Sequence, residues 1–174
     1  FFKFPDFGMS HLRNKPLPPL PHPQLHEAEN PFEIIREKDQ LLHVPYQSYQ
    51  SVVNFFERAA EDPSVTHIKV IQYRVARNSR IMQALMRAVQ EGKQVSAFVE
   101  IKARFDEAAN LEWGEKLEKA GVRVHYSFPG VKVHSKLALV RRLEGGETRL
   151  YSYLSTGNFH EETAKIYSDF SLFT

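Results

Sequence analysis

The chain has 174 residues, 42% of them hydrophobic and 25% charged, the balance of an ordinary globular domain able to bury a core. A formal net charge of +2 gives no sign of a wholesale nucleic-acid binder, and the lack of cysteine excludes disulfides and thiolate metal sites. Any site must be built from His, Arg, Lys and carboxylates.

No apolar run approaches the ~20 residues that span a bilayer, and the opening Phe-rich segment holds Lys3, Pro5 and Asp6, unlike a signal peptide. The expected location is the cytoplasm. Phe1 opens in mid-segment and Thr174 closes directly after an apolar run, so the expectation is a piece of a larger enzyme.

Residues 1–30 read as an extended, Pro-rich arm. Pro16, Pro18, Pro19, Pro21 and Pro23 remove backbone donors and bias their predecessors to extended conformation. The arm is expected to lie against a preceding domain, with Phe1, Phe2, Phe4 and Phe7 as its anchor. Residues 31–174 are expected to form one catalytic domain.

A short helix is predicted over Pro31 to Leu42, with Asn30 as N-cap, Pro31 at the first position and Glu33 three residues after the cap. His43-Val44-Pro45-Tyr46 reads as a loop. Ser48 or Ser51 then caps a helix reaching Ala60, with Val52, Phe55, Phe56 and Ala59 on one face, and Asp62-Pro63 stops it.

Strand, helix, strand, helix, strand follows. Val65 to Arg74 is a strand, and Asn78 or Ser79 opens a helix that Gly92 ends. Gln94 to Ile101 is a second strand, and Asp106 opens a helix that Gly121 ends before the strand Val122 to Tyr126. That order implies parallel strands with right-handed crossovers. The run from Pro129 to Val140 reads as a further strand, and Gly145-Gly146 turns it into a hairpin with Thr148 to Ser155. The fold class is α/β, a mixed sheet flanked by helices.

In the Pro129–Val140 run, alternation puts Val131, Val133, Leu137 and Leu139 on one face and Lys132, His134, Lys136 and Ala138 on the other. His134 and Lys136 then point the same way with β-carbons about 7 Å apart, within reach of one phosphate group. The alternation alone also fits a half-exposed strand with a polar face. Arg74 and Arg104 each follow a predicted strand, so two loops deliver guanidinium groups to the rim where ligands of such sheets gather. Guanidinium binds phosphate oxygens bidentately, which suits a polyanion. The Ser155-Thr156-Gly157-Asn158 turn offers backbone amides and the Asn158 side chain to an anion, and Tyr167 follows it.

His134-Ser135-Lys136 with Ser155-Thr156-Gly157-Asn158 resembles the His-x-Lys and Gly-Ser-x-Asn elements of the phospholipase D superfamily. Arg141 stands where that motif usually carries Asp, which counts against an ordinary phosphodiesterase. A closer likeness is to bacterial polyphosphate kinases. It rests on four motifs in order: Ile71-Gln72-Tyr73-Arg74-Val75-Ala76 with Ser79-Arg80-Ile81; Ala103-Arg104-Phe105-Asp106-Glu107; Gly130 to Lys136; and Thr156-Gly157-Asn158-Phe159.

The resemblance covers the first of that family's two phospholipase-D-like C-terminal domains. It implies reversible transfer of the ATP terminal phosphate to inorganic polyphosphate through a phosphohistidine at His134, with Lys136 beside it. Arg74 and Arg104 match the family's magnesium and phosphate site, and Tyr167 matches a nucleotide-contacting tyrosine; Asn158 is placed with the ATP and phosphate contacts. A cationic guanidinium has no lone pair for a hard cation, so both arginines are expected to reach Mg2+ through phosphate oxygens. The implied partners are ATP or ADP, polyphosphate and the parent enzyme's other domains, with no nucleic acid. A homo-oligomeric full-length form, with a membrane association of that form, is the further expectation, and the fragment alone is expected to be inactive. Two alternatives stand beside this reading: a phospholipase-D-like phosphodiesterase or nuclease, and a non-catalytic polyanion-binding module.

Overall fold

The computed structural model describes residues 8–12, 14–15, 17–102, 107–128 and 130–174. The Phe1, Phe2, Phe4 and Phe7 anchor, Arg104, the proposed cap Asp106 and Pro129 lie outside the described residues.

Seven strands form one sheet in the order β1-β7-β6-β5-β2-β3-β4. They are β1 (Gln40–Val44), β2 (Val65–Gln72), β3 (Gln94–Val99), β4 (Arg123–Tyr126), β5 (Leu137–Glu144), β6 (Glu147–Ser155) and β7 (Asp169–Phe173). β2, β3 and β4 run parallel, and every other pairing is antiparallel, so the sheet is mixed as expected. Its helices are α1 (Pro31–Glu37), α2 (Gln50–Glu61), α3 (Arg80–Gln90) and α4 (Glu107–Lys119).

Local signals set most of these boundaries. Asn30 Oδ1 accepts from the Phe32 amide at 3.1 Å while Asn30 Nδ2 donates to Glu33, closing the expected cap of α1. Ser79 Oγ accepts from the Met82 amide and starts α3. Gly145 and Gly146 both hold positive φ, 58° and 88°, in the two-residue turn that joins β5 to β6.

β2 and β3 stop at Gln72 and Val99, short of the expected Arg74 and Ile101, and the cap of α2 is Tyr49, without a side-chain bond, in place of Ser48 or Ser51. Two stretches differ more widely from the sequence reading. The first helix ends at Glu37 rather than Leu42, and Gln40–Val44 is a strand rather than helix and loop. Gln40, Leu42 and Val44 turn into the core at period two and β1 closes the sheet edge by pairing with β7, so a tertiary partner overrides the helical pattern. The strand expected from Pro129 begins only at Leu137. Its partner β2 stops at Gln72, and the register sets Ile71 opposite Leu137, so of the residues just before Leu137 only Lys136 meets a strand, through Ser155 at the end of β6.

Of the N-terminal residues, Leu20 bridges to Gln47 through Leu20 N to Tyr46 O and Ser48 N to Leu20 O, both 2.8 Å, and Leu25 is buried in the core.

The core lies between the helices and one sheet face. Val70, Ala97, Ala138, Val140, Tyr151, Tyr153 and Phe173 from the strands meet Phe32, Phe55, Phe56, Leu85 and Leu117 from the helices. Phe32 packs against Phe55 and Tyr151, and Tyr153 against Phe56, Phe159 and Phe173, with ring centroids 5.0–6.3 Å apart. No helix among the described residues is long and apolar enough to cross a membrane.

Candidate active site

The carboxyl ends of β2 and β3, the approach to β5, the end of β6 and the start of β7 come together at one rim. Backbone pairing fixes this. Ser155 N donates to Lys136 O at 3.0 Å, and Val75 bridges to Phe159. The first contact sets the turn after β6 beside Lys136; the second sets Arg74 and Asn158 on neighbouring residues of two adjoining segments. The His-x-Lys element, the Arg74 loop and the Thr156-Gly157-Asn158 turn, far apart in the chain, are therefore neighbours.

His134 is exposed and Lys136 is buried. The Lys136 ammonium donates to the His134 carbonyl at 2.7 Å and stands 3.1 and 3.2 Å from the two ring nitrogens. The ammonium is thus within hydrogen-bond distance of both ring nitrogens, while its shortest bond is to the backbone carbonyl. The expected pairing of His134 with Lys136 is present, although the two residues lie in an irregular segment instead of alternating along a strand.

Tyr73, 5% exposed, is the floor under both. The His134 ring meets it edge-on at 4.6 Å, and the cationic groups of Arg74, Lys132 and Lys136 lie 5.5, 5.3 and 5.3 Å from its centroid. Partial desolvation, then the charges of Lys136, Lys132 and Arg74, hold the His134 imidazole below its ordinary 6.5. Burial first, with the Arg74 charge beside it, lowers Lys136 against the opposing pull of Asp169.

The turn after β6 differs from the anion nest expected of it. Thr156 N donates to Phe170 O and Gly157 N to Ser155 Oγ, so both amides are used within the fold. Thr156 Oγ1 donates to Asp169 Oδ1 at 2.8 Å, and a β-carbon on Gly157 would sit 2.7 Å from the Asp169 carboxylate, which explains the glycine. Asn158 Oδ1 is buried without a hydrogen-bond partner. Glu161 Oε1 accepts from Ser79 Oγ and Arg80 N, both 2.9 Å, so the start of α3 is closed by a carboxylate of this chain. Tyr167 is 63% exposed in the segment entering β7, two residues before Asp169.

The sequence reading left out Tyr73 as a platform, and with it Glu100 and Asp169. The signals available were an aromatic residue and a carboxylate at the buried ends of two parallel strands. A groove of about 830 Å³ on the sheet's other face, lined by His67, Lys69, Phe98 and Leu139, includes none of the residues around His134.

The described residues contain no cluster of three His, Asp or Glu side chains able to hold a metal ion. Arg74 offers no lone pair, and the Glu100 carboxylate already accepts from two amides and a hydroxyl. These groups do not fit a magnesium ion held directly by side chains.

Residues 30–174 match the family model described as polyphosphate kinase C-terminal domain 1. The chain belongs to this family. It is 50% identical over its whole length to a polyphosphate kinase of Vibrio vulnificus and 47% identical to that of Escherichia coli K12, covering 25% and 26% of those proteins. The chain thus spans about a quarter of the length of the curated relatives it matches. The crystal structure of polyphosphate kinase from Porphyromonas gingivalis superposes with a TM-score of 0.80 at 47% identity, covering 98% of this chain and 28% of that one. The phospholipase D family member NUC from Salmonella typhimurium matches with a TM-score of 0.59 at 16% identity, covering 78% of this chain and 81% of that one, a likeness of fold alone. The phospholipase-D-like α/β sheet is therefore established for this family member.

Proposed function

We propose that this chain is the histidine-bearing catalytic domain of an ATP:polyphosphate phosphotransferase. The observation that carries the reading is the exposed His134 imidazole against the Tyr73 ring, with the cationic groups of Lys132, Lys136 and Arg74 gathered around that ring. Phosphoryl transfer asks for positioning and positive charge around the transferring group more than for acid or base, and this rim supplies both.

In the proposed reaction a ring-nitrogen lone pair of His134 attacks the terminal phosphorus of ATP. A P–N bond forms as the bridging P–O bond breaks, and ADP leaves with the electron pair. A terminal oxygen of the polyphosphate chain then attacks the same phosphorus, the P–N bond breaks, and His134 is regenerated. Each step reverses along the same path. Lys136, Lys132 and Arg74 neutralise the phosphoryl oxygens during transfer, and Asn158 and Tyr167 contact the nucleotide and phosphates. Arg104 is assigned the same phosphate role by resemblance. Mg2+, when bound, would neutralise phosphate charge on the nucleotide, and Arg74, with Arg104 by resemblance, would reach it through phosphate oxygens and not as direct ligands. The reading includes cytoplasmic residence, assembly with further domains of a longer chain, and a homo-oligomer.

The test is polymer synthesis by the full-length protein with ATP and magnesium. Acid-insoluble polyphosphate formed by the unsubstituted protein and lost in His134→Ala supports the kinase. Hydrolysis of a phosphodiester without polymer formation supports the nuclease, and salt-dependent polyphosphate binding without either supports the binding module.

A further inference from the structure

Glu100 follows the last residue of β3 and is 1% exposed. Its carboxylate joins three segments. Oε1 accepts from Lys102 N at 2.9 Å and Ser127 Oγ at 2.8 Å, and Oε2 accepts from Val133 N at 2.8 Å. Its backbone is fixed as well: the Glu100 amide donates to Gln72 O, and the carbonyl accepts from Asn110 Nδ2 of α4 at 2.9 Å.

A buried carboxylate beside a phosphate site is electrostatically unfavourable for the substrate, so its presence calls for another use. The surroundings supply one. His134 is suspended between two backbone ties, Val133 N to Glu100 on one side and Lys136 O to Ser155 N on the other. Residues 131–135 lie outside the strand pairing that resumes at Lys136, so the Glu100 tie stands in for the missing ladder.

We infer that Glu100 is a positioning residue for the histidine: by gripping Val133 N, Lys102 N and Ser127 Oγ it locks the 131–136 segment to the end of β3 and sets the His134 ring against Tyr73 and its cations. The inference rests on the reading of His134 as the phosphoryl acceptor. Glu100 touches no reacting atom and acts through the backbone beside the nucleophile.

The geometry makes glutamine the informative substitution. Oε1 takes two donors and Oε2 one, so the amide oxygen of Glu100→Gln keeps the doubly used side and turns its NH2 against the Val133 amide. The experiment uses the full-length protein and follows three readouts: phosphorylation of His134 by terminally labelled ATP, phosphorylation of the same histidine by phosphoramidate, and hydrogen exchange of the peptide covering residues 131–136. The expected result is an about ten- to hundredfold slower label from ATP, an unchanged label from the small donor that needs no positioning, and faster exchange at 131–136. An unchanged rate from ATP, or equal losses with both donors, overturns the inference. Rapid exchange of the Val133 amide in the unsubstituted protein also overturns it, and that arm needs no variant. If the unsubstituted protein takes no label on His134, the phosphohistidine reading fails. Glu100 as an anchor then stands if glutamine accelerates exchange at 131–136 and falls if it does not.

Discussion

The Lys136 ammonium reaches back two residues to the His134 carbonyl at 2.7 Å, and in doing so stands 3.1 and 3.2 Å from both nitrogens of the same residue's ring. A buried cation is thus held beside an exposed imidazole, its shortest bond being to the backbone carbonyl. For the proposed transfer, that charge would be in place before the phosphate arrives, the condition under which a charge stabilises a transition state most.

Lys136→Met keeps the volume of the buried chain and removes the charge. In the full-length protein it is expected to lower kcat/KM for ATP by about a hundred- to a thousandfold, the usual loss on removal of one preorganised donor. Steady-state kinetics with a thermal unfolding midpoint checks that the loss is not one of folding.

The same charge contributes to the pH dependence. The folded His134 binds its proton more weakly than ordinary imidazole, with desolvation and the charges of Lys136, Lys132 and Arg74 disfavouring the cation. With His134 as the proposed nucleophile, the neutral form is expected to persist to lower pH and the acid limb of kcat/KM to have its midpoint below the ordinary imidazole value. Lys136→Met removes one of those charges and moves the midpoint upward. A pH profile of single-turnover labelling in both proteins measures the shift and its sign.

Tyr73 separates ring from hydroxyl. Tyr73→Phe retains the edge contact with His134 and the face toward three cations, so its activity is expected to stay near that of the unsubstituted protein. Tyr73→Leu removes the face, each lost cation contact weakening the arrangement by about 0.5–2 kcal/mol. The expected outcome is a fall in kcat exceeding tenfold for leucine alone, read by initial rates at saturating ATP.

Asn110, fully buried on α4, donates to Tyr73 O at 2.7 Å and Glu100 O at 2.9 Å and so pins the ends of two site-bearing strands. Asn110→Ala leaves two buried carbonyls without that donor, a destabilisation of about 2–4 kcal/mol. Urea unfolding of this chain reports it through its single tryptophan, Trp113, one turn further along the same helix.

Much of this arrangement was legible in the sequence where the cause is local. Asn30, Ser79 and the Gly145-Gly146 pair act within a few residues of themselves, and the βαβαβ order follows from periodicity and stops. β1 was not legible, because Ile34, Ile35, Leu41 and Leu42 also continue a helical stripe and only pairing with β7 decides against it. The His134 strand starts later than its apolar alternation suggests for a related reason: the alternation says nothing about where β2 ends. At the site, His134, Lys136 and Arg74 are drawn together as their types and loops suggested. Arg104 falls outside the described residues, and Tyr167 stands exposed in the segment before β7. Tyr73 and Glu100 were invisible as site residues because their roles exist only where the ends of β2 and β3 meet the approach to β5.

The central claim is that His134 carries the phosphoryl group. Its most direct test is incubation of the full-length protein with terminally labelled ATP and magnesium, followed by peptide mapping of acid-labile, base-stable label. The account predicts label on the peptide holding His134 and none in His134→Ala, with the variant's unfolding unchanged because the side chain is exposed. Label on a different one of the eight histidines, or persisting in His134→Ala, would contradict it.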